Sequence, residues 1–183
     1  MNSAVSSGLA RSIWRAAALA CLAMQLVAGQ APAAAQPVVG AAEIERQYRS
    51  GEAQMALQRL EQALAQRPGD APLRFLQAVL VGEAGRPAES RRLLERMTQE
   101  FPDLPEPYNN LAVLHAADGQ LDQARGLLET ALRLDPAYRV AHENLGDVFV
   151  RLAQRAYEAA SGPRAGPGLA PKLRLVRELS ALR

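Results

Sequence analysis

At 183 residues the chain holds one domain and little more, and its 49% apolar content is inflated by alanine while aromatics supply only 4%. That balance suits close helix packing and argues against a sheet sandwich. The formal net charge of +2 conceals a polarised chain, because residues 36–160 hold 14 Arg against 18 acidic groups while residues 161–183 hold five basic groups against Glu178. An acidic body whose aromatics do not interleave with a basic patch argues against nucleic-acid binding.

The first 35 residues read as a cleavable secretory signal. Arg11 and Arg15 precede an apolar run from Ala16 to Ala28, broken by Gln25, and Ala33 and Ala35 then follow at the spacing of a signal-peptidase site. Cleavage after Ala35 sends the mature chain to a bacterial periplasm with no transmembrane span. Two alternatives stay open. One is a retained anchor, although an apolar run of about 13 residues falls short of the roughly 20 that a bilayer needs. The other is lipidation at Cys21, although only five residues separate it from Arg15. Removal of the signal takes away the only cysteine, Cys21, and the only tryptophan, Trp14. A disulfide or thiolate metal site is then excluded.

From Ala41 to Arg49 the pattern predicts a first helix with Ile44 and Tyr48 inward. Glu52 to Gln66 forms its partner, presenting Met55, Ala56, Leu60, Ala63 and Leu64. Asp70 is an N-cap for a third helix with Pro72 in its first turn, running to about Ala84. Pro87 to Phe101 buries Leu93, Leu94 and Met97 and wets Arg91, Arg92, Glu95 and Arg96. Within Pro105 to Tyr138, Tyr108, Leu111, Ala112 and His115 share one helix face, and Asn109, Asn110 and Ala116 look elsewhere. Gly119 supplies a left-handed turn. A second helix from about Leu121 then carries Ala124, Leu127, Leu128, Ala131 and Leu132, until Pro136 forces Asp135 out of helical geometry. Residues 139–160 form one longer helix in which Val148, Leu152 and Tyr157 cover the end of the body. Gly162, Pro163, Gly166, Pro167 and Gly168 mark residues 161–170 as a linker. Residues 171–183 are a short basic amphipathic helix with Leu173, Val176, Leu179 and Leu182 in a row among Lys172, Arg174 and Arg177. Marginal alone, it docks on the acidic body, or it meets a partner or an anionic membrane.

Several of these features recur every 34 residues. Gly119, Leu128 and Pro136 step back onto Gly85, Leu94 and Pro102, and again onto Gly51, Leu60 and Pro68; Ala124 and Ala131 reach Ala56 and Ala63. The chain resembles the tetratricopeptide repeat (TPR) family, whose period is about 34 and whose pattern is W-x2-L-G-x2-Y, A-x3-F, P. Tyr108 stands for the Trp, Leu111 for the Leu, Ala112 for the Gly, His115 for the Tyr, Ala124 for the Ala, Leu128 for the Phe and Pro136 for the Pro. In the middle copy Arg74 replaces the Trp and Gln77 the Leu. His142, Leu145, Gly146 and Phe149 begin a fourth copy that no turn glycine completes. The resemblance implies an all-α solenoid of antiparallel helix pairs. Its repeats cover about 37–70, 71–104 and 105–138, within a domain of 36–160 closed by the long capping helix 139–160.

No catalytic constellation is legible. His115 and His142 occupy places where the family buries aromatics, so both are expected in the core. No H-x-x-x-H, P-loop or G-x-S-x-G pattern occurs, and D-G-Q-L-D at 118–122 lacks calcium-loop spacing. The expectation is a protein that is not an enzyme and needs no cofactor or metal.

In the family the first helices line the inner wall of the superhelix. That places Asn109, Asn110 and Val113 there from the third repeat, and Glu143, Asn144 and Asp147 from the capping helix. Phe75, Leu76 and Val79 come from the second repeat, with Glu45 and Arg49 from the first. Asn110 and Asn144, 34 residues apart, can each hold one backbone unit of an extended peptide, or the asparagines stabilise the superhelix itself. TPR domains that clamp a chaperone's terminal carboxylate resemble one another in Lys and Arg at these places, whereas Asn, Glu and Asp stand here, so a neutral or basic segment of an envelope protein is the expected ligand. The expected function is a non-catalytic protein–protein adaptor of the cell envelope. Alternatives are a self-associating homo-oligomer and an accessory subunit of a peptidoglycan or cytochrome-maturation enzyme.

Overall fold

A computed structural model describes residues 40–163 and 166–181, all within one compact unit, Val39–Arg183. The proposed signal, with Trp14, Cys21 and Ala35, lies outside the described residues, as does Leu182. The described residues form eight helices and no strand: α1 Ala41–Arg49, α2 Ala53–Gln66, α3 Ala71–Glu83, α4 Pro87–Glu100, α5 Pro105–Ala117, α6 Leu121–Leu134, α7 Arg139–Ala160 and α8 Leu169–Ala181. Short turns make α1/α2, α3/α4 and α5/α6 antiparallel pairs, each stacked on the next, with α7 closing the third pair and α8 packed on α7.

The helix ends explain the period. Gly51, Gly85 and Gly119 have φ of +97°, +76° and +77°, so each first helix stops through a left-handed residue. At Gly119 the amide donates to the Ala116 carbonyl at 3.0 Å and the next amide, Gln120, to His115 at 2.9 Å. The second helices stop at residues pushed extended by a following proline: Arg67, Phe101 and Asp135 have φ of −135°, −131° and −132°. Asp70 caps α3 by accepting from the Leu73 amide at 3.1 Å.

A Cβ at Gly119 would meet nothing within 4 Å, so only backbone strain opposes a side chain there. Gly119→Ala is expected to lower stability by about 1–2 kcal/mol in urea unfolding. Gly126→Ala, also unobstructed but inside α6, is expected to raise it by about 0.5–1 kcal/mol. Equal effects of the two would contradict the turn geometry.

Three apolar clusters run through the stack. Ile44, Ala56, Leu60, Leu73 and Leu80 join the first two pairs. Ala78, Leu94 and Leu111 join the second and third, and Ala112, Ala124, Leu128, Ala131, Ala141 and Val148 join the third to α7. In the middle repeat Arg74 takes the place of an aromatic by lying over the Phe101 ring, 5.3 Å from its centroid, and pairing with Glu100.

Met55, Phe149 and both histidines depart from the sequence reading. Met55 is 48% exposed, because Ala56, Leu60 and Ala63 define the inward stripe of α2 and Met55 lies off it. Phe149 is 49% exposed, since among the described residues no helix lies over that face of α7. Neither histidine is a core residue. His142 is exposed with Nε2 3.0 Å from the Pro136 carbonyl, and His115 is half-buried at a helix end, its Nδ1 2.5 Å from Gln120 Oε1 and 3.3 Å from the Arg91 guanidinium.

Three exposed carboxylates are held below their ordinary range. Glu100 is held by the hydrogen bond from Arg74, Asp122 by that from Arg155, and Glu158 by Gln154 and then Arg177. Groups depressed in the folded state contribute stability above their unfolded pKa and lose it as pH falls through the folded value. The melting temperature is therefore expected to fall below about pH 4, with these pairs contributing nothing to any change between pH 5 and 7.

Candidate binding groove

The geometry concentrates one cleft, of about 470 Å³, between α5 and α7. Ala112, Leu128 and Val148 make its floor, while Val113, Ala116 and Ala117 form the α5 side. Glu143, Asn144, Asp147, Val150 and Arg151 form the α7 side, and Leu179 and Ser180 of α8 bound one end. Small side chains on α5 open the space, because alanines at 112, 116 and 117 leave α7 with no bulky neighbour along that stripe.

The charges on the walls are not equivalent. Glu143 and Asp147 stand one helical turn apart and are exposed, and among the described residues neither enters an ion pair. Arg151, by contrast, donates from Nη1 at 2.7 Å to the Ala116 carbonyl at the C-terminal end of α5, the same carbonyl that accepts from the Gly119 amide. Its cation is held against the scaffold but keeps its charge, so the α7 wall sets Glu143 and Asp147 against Arg151 and stays acidic on balance beside an apolar floor.

Asn109 is not at the groove surface. It is 3% exposed, its Oδ1 accepts from Asn144 Nδ2 at 2.9 Å and its Nδ2 donates to Asn110 Oδ1 at 3.1 Å. The amides bond one another and tie α5 to α7, as a buried amide between packed helices must. This chain of bonds joins Asn110 to Asn144 through Asn109, and it supports the reading in which asparagine stabilises the stack.

Val113, Glu143, Asn144 and Asp147 therefore meet in the cleft, whereas the half-buried Asn110 does not line it and is joined to Asn144 through Asn109. The upstream candidates do not line it. Phe75 is half-buried against the Leu94 and Leu111 cluster, Leu76 is buried in the first cluster, and Val79 is half-buried. Arg49 pairs with Glu83 at 2.8 Å and Glu45 at 3.6 Å, so its cation is engaged by two carboxylates. Ala116, Ala117, Val150 and Arg151 escaped the sequence reading although the 34-residue step relates the two pairs. Leu179 and Ser180 had no such signal.

Among the described residues no group of three or more His, Cys, Asp or Glu could hold a metal ion, and no helix is long and apolar enough to cross a membrane.

Comparison with solved structures gives the same architecture. The human RPAP3 first TPR domain is 16% identical, with a TM-score of 0.56 over 63% of this chain and 91% of that one. The first TPR of Spaghetti (RPAP3) bound to the HSP90 peptide SRMEEVD gives 0.54 at 16% identity over 61% and 88%. TTC0263, a thermophilic TPR protein of Thermus thermophilus, gives 0.55 at 20% identity over 75% and 79%. The sequence profile described as tetratricopeptide repeat matches residues 47–112 and 83–143, together more than half of the 183. With its helix ends set by left-handed glycines and X-Pro breaks one repeat apart, the chain belongs to the tetratricopeptide repeat family.

Proposed function

We propose that this chain is a non-catalytic protein-interaction module whose α5–α7 cleft holds a partner segment with apolar side chains flanked by Lys or Arg. The observation that carries this is the acidic wall of Glu143 and Asp147 beside an apolar floor, with Arg151 and Arg49 both engaged by the scaffold. A related domain is described with the peptide SRMEEVD, which is itself acidic. Such a ligand would set its carboxylates against Glu143 and Asp147, so a ligand of opposite charge is favoured. The signal-like pattern of residues 1–35 supports a bacterial envelope setting, where the module acts as an adaptor.

Affinity capture from a bacterial envelope extract tests this. The full chain is compared with a Glu143→Lys, Asp147→Lys variant shown by circular dichroism to be folded. The expected outcome is an envelope protein retained by the first and lost from the second. Identical captures, or none, would sink the reading.

A further inference from the structure

The tail helix α8 does not complete the fourth repeat. A second helix of that repeat would cover His142, Gly146 and Phe149, yet all three are exposed. Instead α8 lies on the groove side of α7. Leu179 and Ser180 bound the same cleft as Asp147, Val150 and Arg151, and nearer the turn Arg177 reaches Glu158 at 3.0 Å. The order of these contacts makes α8 antiparallel to α7, along the stripe that continues the acidic wall.

Its hold is slight. No α8 residue is buried. Leu169, Leu173, Val176 and Ser180, at steps of four, three and four, are half-buried, while Leu175 and Leu179 are 54% and 51% exposed. Among the described residues Arg177–Glu158 is the one ion pair between α8 and α7, and both partners are more than a third exposed, so it contributes little. A helix of 13 residues is marginal alone, and a connection containing Gly162, Pro163, Gly166, Pro167 and Gly168 lets α8 leave without disturbing the stack.

We propose that α8 is an exchangeable occupant of the strip of α7 at one end of the α5–α7 cleft, and that the external ligand is a basic amphipathic helix of the same pattern, which displaces α8 and extends along the cleft to Glu143 and Asp147. This deepens the reading of the α5–α7 cleft and rests on it. The pattern of the occupant is given by the chain itself: apolar groups at i, i+4 and i+7 with Lys or Arg between them, packed on α7 beside Glu158, which pairs with Arg177, while the unpaired Glu143 and Asp147 lie further along the cleft. A short tether gives an effective concentration on the order of 1 mM, so a segment with a Kd of about 100 µM keeps the site about nine-tenths closed. Opening it then raises the apparent affinity for a competing helix about tenfold.

The test uses a fluorescein-labelled peptide of residues 166–183, with anisotropy measured against the full chain and against a full-length Leu173→Asp, Val176→Asp variant. The variant, folded by circular dichroism, is expected to bind about tenfold more tightly than the parent. Exposed Arg177→Glu provides a second, milder release with a shift in the same direction. Equal affinity for parent and released chains would place the peptide elsewhere and overturn the proposal. Failure to bind either chain would show that the groove does not accept α8 as a separable ligand, and would also overturn it. Capture of an envelope protein through Glu143 and Asp147 would survive that failure, so the two readings fall independently.

Discussion

Leu111→Ala is expected to lower the unfolding free energy by about 2–5 kcal/mol. Leu111 is 3% exposed and packs with Ala78 and Leu94, with Phe75, Leu93, Leu114 and Leu127 around them. It therefore belongs to the interface between the second and third helix pairs. In a stacked array, stability is the sum of repeat terms and nearest-neighbour interfaces, so a cavity here weakens the coupling on which the central repeats depend. Urea unfolding followed by circular dichroism reads the loss directly. Met55→Ala removes a comparable side chain that is half exposed, and its expected cost is below about 1 kcal/mol. Similar midpoints for the two variants would show that Leu111 does not bridge the pairs.

What could be read from the sequence was what local chemistry dictates. A left-handed glycine, a proline that pushes its predecessor extended and an Asp cap each act within a few residues, so Gly51, Gly85, Gly119, Pro68, Pro102, Pro136 and Asp70 declared the helix ends. The inward stripes of α2 and α6 followed from helical period for Ala56, Leu60, Ala63, Ala124, Leu128 and Ala131. Properties that depend on which helix lies over which face were not legible. Asn109 is buried because α7 packs across it, and Phe149 is exposed because α8 turns to the other side of α7. The apolar row of Leu173, Val176 and Leu179 in the sequence is not the packed one, which steps from Val176 to Ser180 and leaves Leu179 at the cleft rim. The groove was half legible for the same reason. Glu143 and Asp147 follow from the family geometry, but the pairing of Arg49 away from the cleft and the bond of Arg151 to the Ala116 carbonyl need three-dimensional partners.

The acidic balance of the wall supports the second large effect. Glu143→Lys, Asp147→Lys converts two negative groups into two positive ones on one helical turn, a change of four unit charges at the cleft. Each exposed pair contributes only about 0.2–1 kcal/mol. Lost attraction and added repulsion nevertheless act together on a cationic helix, so its binding is expected to weaken by at least about tenfold, on the order of 1.4 kcal/mol. The peptide of residues 166–183 provides such a ligand, with Lys172, Arg174, Arg177 and Arg183 against Glu178. Measured on the Leu173→Asp, Val176→Asp background, the difference should shrink as the Debye length falls from about 8 Å at physiological salt to about 3 Å at 1 M. An apolar contact would keep its strength under the same change, so the salt dependence separates the acidic wall from the floor. Two results would contradict the acidic wall as the recognition element: affinity unchanged by the reversal, or a loss that salt does not diminish. The second would place the binding energy on Val113, Ala116 and Val150 instead.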